Sequence, residues 1–95
     1  MARELPRVVN VRGGRQNFDV YIGRPSPWGN PFRVGRDGTR DEVVDKYREW
    51  LLSSPAGERL LRWLPFLEGK RLGCFCSPES CHGDVLVALF MERLT

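Results

Sequence analysis

The chain is poor in the side chains that perform metal, redox and nucleophilic chemistry. Its 95 residues include only three cysteines and one histidine. An odd cysteine count does not suit the disulfide frameworks with which small secreted domains reinforce a modest core. We therefore expect reduced thiols and a cytoplasmic protein.

Long apolar runs are also absent. No stretch approaches the ~20 consecutive apolar residues of a transmembrane helix. The charged start, residues 1–7, is not followed by the apolar segment of a secretory signal. The sequence therefore predicts no membrane association.

The composition is that of one folded domain over residues 1–95. Hydrophobic residues make up 41% and charged residues 28%, with a net charge of +3, which argues against a disordered chain and permits an anionic partner. Arginine is concentrated in the first part of the chain, and guanidinium groups suit bidentate binding of phosphate or carboxylate. A solvated face explains the same pattern equally well. The arginines concerned are Arg3, Arg7, Arg12, Arg15, Arg24, Arg33, Arg36 and Arg40.

Hydrophobic periodicity predicts an α/β domain, with α+β as the alternative. We expect a short mixed sheet of three or so strands with three helices, in the order β-β-α-α-β-α. The first two strands are expected to form a hairpin across residues 12–17, and the third to lie in the middle of the sheet. The predicted strands are residues 8–11, 18–22 and 71–76, and the predicted helices are residues 40–52, 55–67 and 81–93.

Two of the helix starts carry capping residues. Thr39 and Glu42 have the spacing of a capping box, in which each side chain bonds the other residue's backbone N–H. Ser54 followed by Pro55 is a favoured N-cap and first helical position. Pro65 must kink or end the second helix, because proline lacks the N–H that continues it.

A long irregular segment, residues 23–38, separates the second strand from the first helix. Its three prolines and four glycines exclude a helix. Long loops in compact domains are often functional. We expect Trp28 and Phe32 to anchor this loop to the core.

All the cysteines and the histidine, namely Cys74, Cys76, Cys81 and His82, fall within nine residues. Strand, tight loop and helix N-terminus follow each other there, and three interpretations remain open. The first is a zinc site with these four residues as ligands. Their number fits zinc, although two cysteines on one face of a strand need a bend to converge.

The second interpretation is a reactive site. Cys81 would be the nucleophile, His82 the proton carrier and Asp84 its orienting partner. The helix N-terminus favours a thiolate, so Cys81 should react faster than Cys74. The third interpretation is structural, with Cys74 and Cys76 as core residues of a central strand and His82 as a helix cap.

Four groups of residues form distinctive motifs. They are Tyr21-Ile22-Gly23-Arg24, Trp28-Gly29-Asn30-Pro31-Phe32, Gly38-Thr39-Arg40, and Cys74-Phe75-Cys76-Ser77-Pro78 with Cys81-His82-Gly83-Asp84. Together they resemble the motifs of one family of small proteins from bacteriophages, notably those of actinobacteria, and from some bacteria. That family is catalogued as a domain of unknown function, and the resemblance runs from about residue 8 to residue 89. It implies a phage or phage-host origin, and hence the host cytoplasm as the location.

The leading functional hypothesis joins the two irregular segments. Residues 23–38 and 76–84 are expected to line one pocket that binds or processes a nucleotide or related phosphate ligand. Whether the protein is an enzyme is left open. The expected ligand-binding residues are Arg24, Trp28, Asn30, Arg36, Arg40 and Gly83.

The alternative is a non-enzymatic interaction protein that binds a host protein or nucleic acid. Its cysteine cluster would be purely structural or would hold a structural zinc ion. This class predicts buried Cys81 and His82 with an exposed apolar patch elsewhere, whereas a reactive pocket predicts that both are partly exposed. The oligomeric state is left open.

Overall fold

The computed structural model describes residues 3–75 and 81–95, and within them three strands and three α-helices. Their order, β-β-α-α-β-α, confirms the predicted fold class and element order. The predicted strand residue Cys76 lies outside the described residues. The strands are β1 (Arg7–Asn10), β2 (Val20–Tyr21) and β3 (Arg71–Cys74), and the helices are α1 (Arg40–Ser53), α2 (Pro55–Leu61) and α3 (His82–Leu94).

β3 lies at the centre of the sheet, as predicted, and β1 and β2 pair with its two sides in parallel. Val8 and Val20 are both register partners of Leu72. The predicted hairpin between the first two strands is therefore wrong, because a hairpin needs antiparallel neighbours. The described strands pair only in parallel, where a mixed sheet was expected.

An ion pair holds the chain where it returns from β1 to the start of β2. The Asp19 carboxylate accepts from the backbone N–H of Arg71 at 2.8 Å and from its guanidinium at 3.1 Å. The connecting residues form two short 3-10 turns, Val11–Gly13 and Arg15–Asn17. They carry the chain back to Arg71, the first residue of β3, beside which β1 also starts. As a result, β2 runs in the same direction as β1.

Glycine at the centre of β3 lets this connection close over one face of the sheet. A Cβ on Gly73 would lie 2.6 Å from Cγ of Phe18 and 2.8 Å from Cγ1 of Val11, so a larger residue would push both away. Leu72, the preceding residue, points to the opposite face and is fully buried.

α3 contributes the largest share of the core. Its predicted apolar stripe, Val85, Leu86, Leu89 and Phe90, is buried. The helix packs against β1 and α1. At about 25 cal/mol per Å², burying side chains of this size stabilises a small domain by roughly 1.5–3 kcal/mol each.

The predicted helix starts are confirmed. Thr39 Oγ1 accepts from the Glu42 N–H at 3.3 Å, and Glu42 Oε1 accepts from the Thr39 N–H at 2.9 Å. Ser54 Oγ accepts from the N–H of Gly57 at 2.9 Å, with Pro55 as the first residue of α2. Each bond satisfies a backbone donor that a helix start leaves without a partner.

The second helix ends before Pro65, the residue predicted to kink or end it. It ends at Leu61, and Pro65 lies in a separate 3-10 segment, Leu64–Leu67. That segment buries Leu64 and Leu67 but turns Phe66 outward. Within the described parts of the chain, no helix has the length and apolar character needed to cross a membrane.

Candidate functional site

A cavity of about 310 Å³ opens where β2 and β3 end. Crevices at the carboxyl ends of parallel strands are the usual ligand sites of α/β folds. Here β3 delivers Cys74 and Phe75, the residues after β2 deliver Gly23 and Arg24, and α3 begins beside them. The described lining residues are Tyr21, Gly23, Arg24, Asn30, Phe32, Val34, Arg40, Val43, Val44, Cys74, Phe75 and His82.

The wall formed by residues 23–38 is held in place by Asn30. Its Nδ2 donates to the Val43 carbonyl of α1 at 3.0 Å, and its Oδ1 accepts from the Phe32 N–H at 2.9 Å. Asn30 is only 9% exposed, so these bonds lie in a poorly hydrated place. This residue therefore shapes the cavity by tying the loop to α1.

Arg24 and Arg40 give the cavity its positive charge. Arg40 is the first residue of α1, and Arg24 follows the second strand and donates from Nη1 to the Asn30 carbonyl at 3.4 Å. No aspartate or glutamate is among the described lining residues. The cavity is thus suited to an anion.

The single histidine lies at the inner end of this cavity. His82 is 7% exposed, and its Nε2 donates to the Ile22 carbonyl at 2.6 Å. Its ring lies nearly perpendicular to that of Tyr47, with centroids 5.1 Å apart. The pKa of His82 is lowered from its ordinary value, mainly because the ring is buried. The positive charge of Arg24 lowers it further, while the bond to the Ile22 carbonyl and the charge of Asp84 offset part of this effect. The ring is therefore neutral near pH 7.

The other ring nitrogen faces a pair of thiols. Cys81 Sγ lies 3.6 Å from Nδ1 of His82 and 2.7 Å from Sγ of Cys74. Both cysteines are 1% exposed. The Cys81 thiol, the His82 imidazole and the Ile22 carbonyl are thus connected in series. A reactive pocket was expected to leave Cys81 and His82 partly exposed, but both are buried.

Asp84 has a different partner from the one expected. Its Oδ2 accepts from the Cys81 N–H at 3.0 Å, which completes a capping box at the start of α3 with Cys81 as the N-cap. The second nitrogen of His82 is oriented by the Ile22 carbonyl instead. Asp84 therefore stabilises the helix start.

Gly83 is explained by packing. A Cβ at this position would lie 2.8 Å from Ile22 Cδ1 and 2.8 Å from Val8 Cγ2, so glycine allows the first turn of α3 to sit directly on the sheet. The Gly83 N–H, which was expected to meet a ligand, donates to Cys81 Sγ at 3.4 Å.

Trp28 and Arg36, like Gly83, were expected to bind the ligand but are not among the residues that line the cavity. Trp28 is 8% exposed, and its carbonyl accepts from the Tyr47 hydroxyl at 2.6 Å, so it anchors the loop as expected. Arg36 donates to Asp37 at 3.0 Å and to the Pro31 carbonyl at 3.3 Å. Tyr21, Phe32 and Phe75 line the cavity instead. Phe32 was expected to anchor the loop to the core, and no ligand role was predicted for Tyr21 or Phe75.

Zinc binding stays a prediction. No group of three or more histidine, cysteine, aspartate or glutamate residues that could hold a metal ion occurs in residues 3–75 and 81–95. Cys76, the remaining expected ligand, lies outside those ranges. Two sulfurs on one tetrahedral zinc are about 3.8 Å apart, as follows from Zn–S bonds of about 2.3 Å. The 2.7 Å between Cys74 and Cys81 does not fit that arrangement.

Fold and cavity together define a small parallel α/β domain with a positively charged crevice at the carboxyl ends of its strands. The chain belongs to the family described as Domain of unknown function (DUF4326), whose model matches residues 9–92. No solved structure matches it.

Two viral relatives cover most of the chain. A protein named for its 12.4 kDa mass and its place in the nrdA-td intergenic region of Enterobacteria phage T4 is 39% identical over 92 residues, which are 95% of this chain and 81% of the relative. An uncharacterized protein of Acanthamoeba polyphaga mimivirus is 36% identical over 107 residues, covering 90% of this chain and 79% of the relative. The chain is thus similar to viral proteins, one of them from a bacteriophage.

Proposed function

We propose that this domain binds a small phosphate-bearing ligand, a nucleotide, in the cavity at the ends of β2 and β3. The observation that carries the proposal is the placement of Arg24 and Arg40 in a crevice without a described acidic lining residue. Guanidinium groups are well matched to phosphate oxygens, and a crevice with low-dielectric walls strengthens that attraction.

The apolar lining supports a ligand that also has a planar body. Tyr21, Phe32 and Phe75 surround the two arginines. A ligand site typically combines such apolar walls with a few polar groups that fix orientation. A nucleotide offers both parts, a phosphate for the arginines and a base for the rings.

Binding, rather than chemistry at Cys81, is the role that we propose. The polar side chains of His82 and Asn30 are bonded to the protein's own backbone, and Cys81 is buried. Catalysis by Cys81, His82 and Asp84 would need the start of α3 to open first.

His82 provides a single-site test, because it is the only histidine in the chain. Nucleoside monophosphates and inorganic phosphate should shift the ring signals of His82 in a nuclear magnetic resonance titration. Arg24→Gln and Arg40→Gln should each weaken the response by about tenfold or more, the value of one charge-assisted contact. Arg62→Gln, which removes an exposed arginine outside this cavity, is the matched control. Unchanged His82 signals at millimolar concentrations of every phosphate compound would contradict the proposal.

The alternative role as an interaction protein is favoured by one surface. Trp63 and Phe66 are 60% and 68% exposed, with ring centroids 5.3 Å apart. They border an apolar groove of about 330 Å³ whose lining includes Pro27 and Leu60. Exposed aromatic side chains around a groove are typical of protein interfaces, and Cys81 and His82 are buried as this class predicts.

Its test compares cross-linking of the wild type and of a Trp63→Ala/Phe66→Ala variant in host extract, with partners identified by mass spectrometry. A host protein that is captured by the wild type and lost with the variant supports this role. Identical captured sets contradict it. The cavity variant Arg24→Gln should not change the captured set.

A further inference from the structure

We propose that the ligand of the cavity is a single nucleotide, held through its phosphate and the face of its base, with little discrimination among bases. This inference rests on the proposed function and specifies its ligand. It follows from which polar groups around the cavity already have partners, from the exposed ring at its mouth and from its size.

Among the described lining residues, the polar side chains of Tyr21, Asn30 and His82 are bonded within the protein. The Tyr21 hydroxyl donates to the Arg24 carbonyl at 2.8 Å, and the Asn30 amide bonds the backbone through both its nitrogen and its oxygen. His82 contacts the Ile22 carbonyl with one nitrogen and Cys81 with the other. Reading the edge of a base needs donors and acceptors at fixed positions, and these groups are committed to holding the walls.

Neighbouring backbone carbonyls are used in the same way. The carbonyl oxygens of Ile22, Arg24 and Asn30 accept from His82, Tyr21 and Arg24, respectively. Strong discrimination between related ligands arises when buried polar groups lose their partners with the wrong ligand. Because the described groups keep their partners with any base, they supply little such discrimination.

Phe75 provides a surface that accepts any base. It is 62% exposed at the end of β3, and its ring meets that of Tyr21 edge to face, with centroids 6.2 Å apart and planes at 84°. Its position is thus set while much of its surface remains open. Stacking on an aromatic ring tolerates every base, since every base has a π-face.

The volume limits the ligand to one nucleotide. At about 310 Å³ the cavity is at the lower end of the 300–1,000 Å³ range of ligand pockets. A dinucleotide cofactor or a longer strand would extend well outside it. The positive charge of Arg24 and Arg40 also requires that the ligand carry its phosphate, so a nucleoside alone should bind poorly.

The test is calorimetric titration with the 5′-monophosphates of adenosine, guanosine, cytidine and uridine, together with adenosine and inorganic phosphate. The four nucleotides should bind with affinities within about fivefold of each other, as expected for stacking without edge recognition. Adenosine and inorganic phosphate should each bind at least about tenfold more weakly, because each lacks one of the two contacts.

Two exposed phenylalanines give a matched pair of variants. Phe75→Ala should weaken all four nucleotides by about tenfold and leave inorganic phosphate unchanged. Phe66→Ala, which removes an equally exposed ring outside the cavity, should change neither. Circular dichroism confirms that each variant is folded.

The possible failures are distinct. If no phosphate compound binds, the proposed function itself is wrong. If nucleotides bind but one base is preferred by more than about thirtyfold, the site reads base edges and the inference is overturned while the proposed function stands. Inorganic phosphate binding as tightly as the nucleotides, or Phe75→Ala without effect, overturns the role of the ring in the same way.

Discussion

The Nε2 atom of His82 lies 2.6 Å from the carbonyl oxygen of Ile22, so the first residue of α3 is bonded to the residue that follows β2. A carbonyl oxygen can only accept, hence Nε2 carries the proton. In the neutral ring, Nδ1 then presents its lone pair towards the thiol of Cys81. This one bond joins the end of β2, the start of α3 and the cavity.

The pKa of His82 should be below its ordinary value of 6.5, because burial disfavours the charged ring. Below pH 6.5 the unfolded chain gains a proton that the folded chain gains only at lower pH. The stability that depends on the neutral ring is therefore complete above pH 6.5 and decreases as the pH falls from 6.5 to the folded pKa.

A nuclear magnetic resonance titration of the single imidazole measures this pKa directly. Urea unfolding between pH 8 and 5 measures the linked loss of stability. Asp19 does not interfere in that range, because its bonds to Arg71 lower its pKa from 3.8 to about 2. A His82 pKa at or above 6.5 would show that the ring is not buried as described.

Asp84→Asn should lower the free energy of unfolding by about 0.5–1 kcal/mol, because it removes a carboxylate from the first turn of α3. Nucleotide affinity should stay unchanged. Glu42→Gln alters the equivalent residue in the capping box of α1 and should destabilise in the same direction. A loss of ligand affinity in Asp84→Asn, without one in Glu42→Gln, would instead assign Asp84 to the binding site.

Two tyrosines make bonds of the same kind in different surroundings. Tyr47→Phe should cost about 1–3 kcal/mol, because it leaves the buried Trp28 carbonyl without its donor. Tyr21→Phe should cost clearly less, because its hydroxyl bonds the Arg24 carbonyl in an exposed place, where water can replace the lost donor. Chemical denaturation of both variants checks the order, and equal losses would contradict it.

The thiols of Cys74 and Cys81 should both resist alkylation in the folded protein, since each is 1% exposed. Mass-spectrometric mapping over time should show that both cysteines are alkylated at the rate of unfolding. The position of Cys81 at a helix start would, by itself, predict that Cys81 is alkylated first. Rapid labelling of Cys81 in folded protein would restore the reactive-site interpretation.

Metal analysis must accompany the labelling, because zinc would also protect thiols. A structural zinc ion predicts about one equivalent in protein purified without chelator, and a loss of stability when chelator is added. Protein that is folded, free of zinc and still protected would leave burial as the reason for slow labelling.

The helices were predictable because the signals that start them are local. Thr39 and Glu42 are three residues apart, as are Ser54 and Gly57, so each cap can be identified in a short window of sequence. The pairing of the strands was not local. It depends on Asp19 meeting Arg71 across 52 residues, and a period-two pattern is the same in a hairpin and in a parallel pair.

The site was predictable only in part, for a related reason. Arg24 and Arg40 belong to separate motifs, and the structure places both in the lining of the cavity that also contains His82. Arg36 has the same side chain and lies nearby in sequence, but Asp37 and the Pro31 carbonyl hold it elsewhere. Such choices among neighbouring arginines depend on the path of the loop, which composition does not specify.

The late position of the central strand has a consequence during synthesis. Among the described strands, β1 and β2 each pair only with β3, and β3 begins only at Arg71. While the ribosome makes the 70 residues that precede β3, neither strand has its partner, and their exposed backbone groups are open to aggregation. We therefore expect nascent chains stalled before residue 71 to be protease-sensitive, with protection appearing in one step once β3 and α3 have emerged.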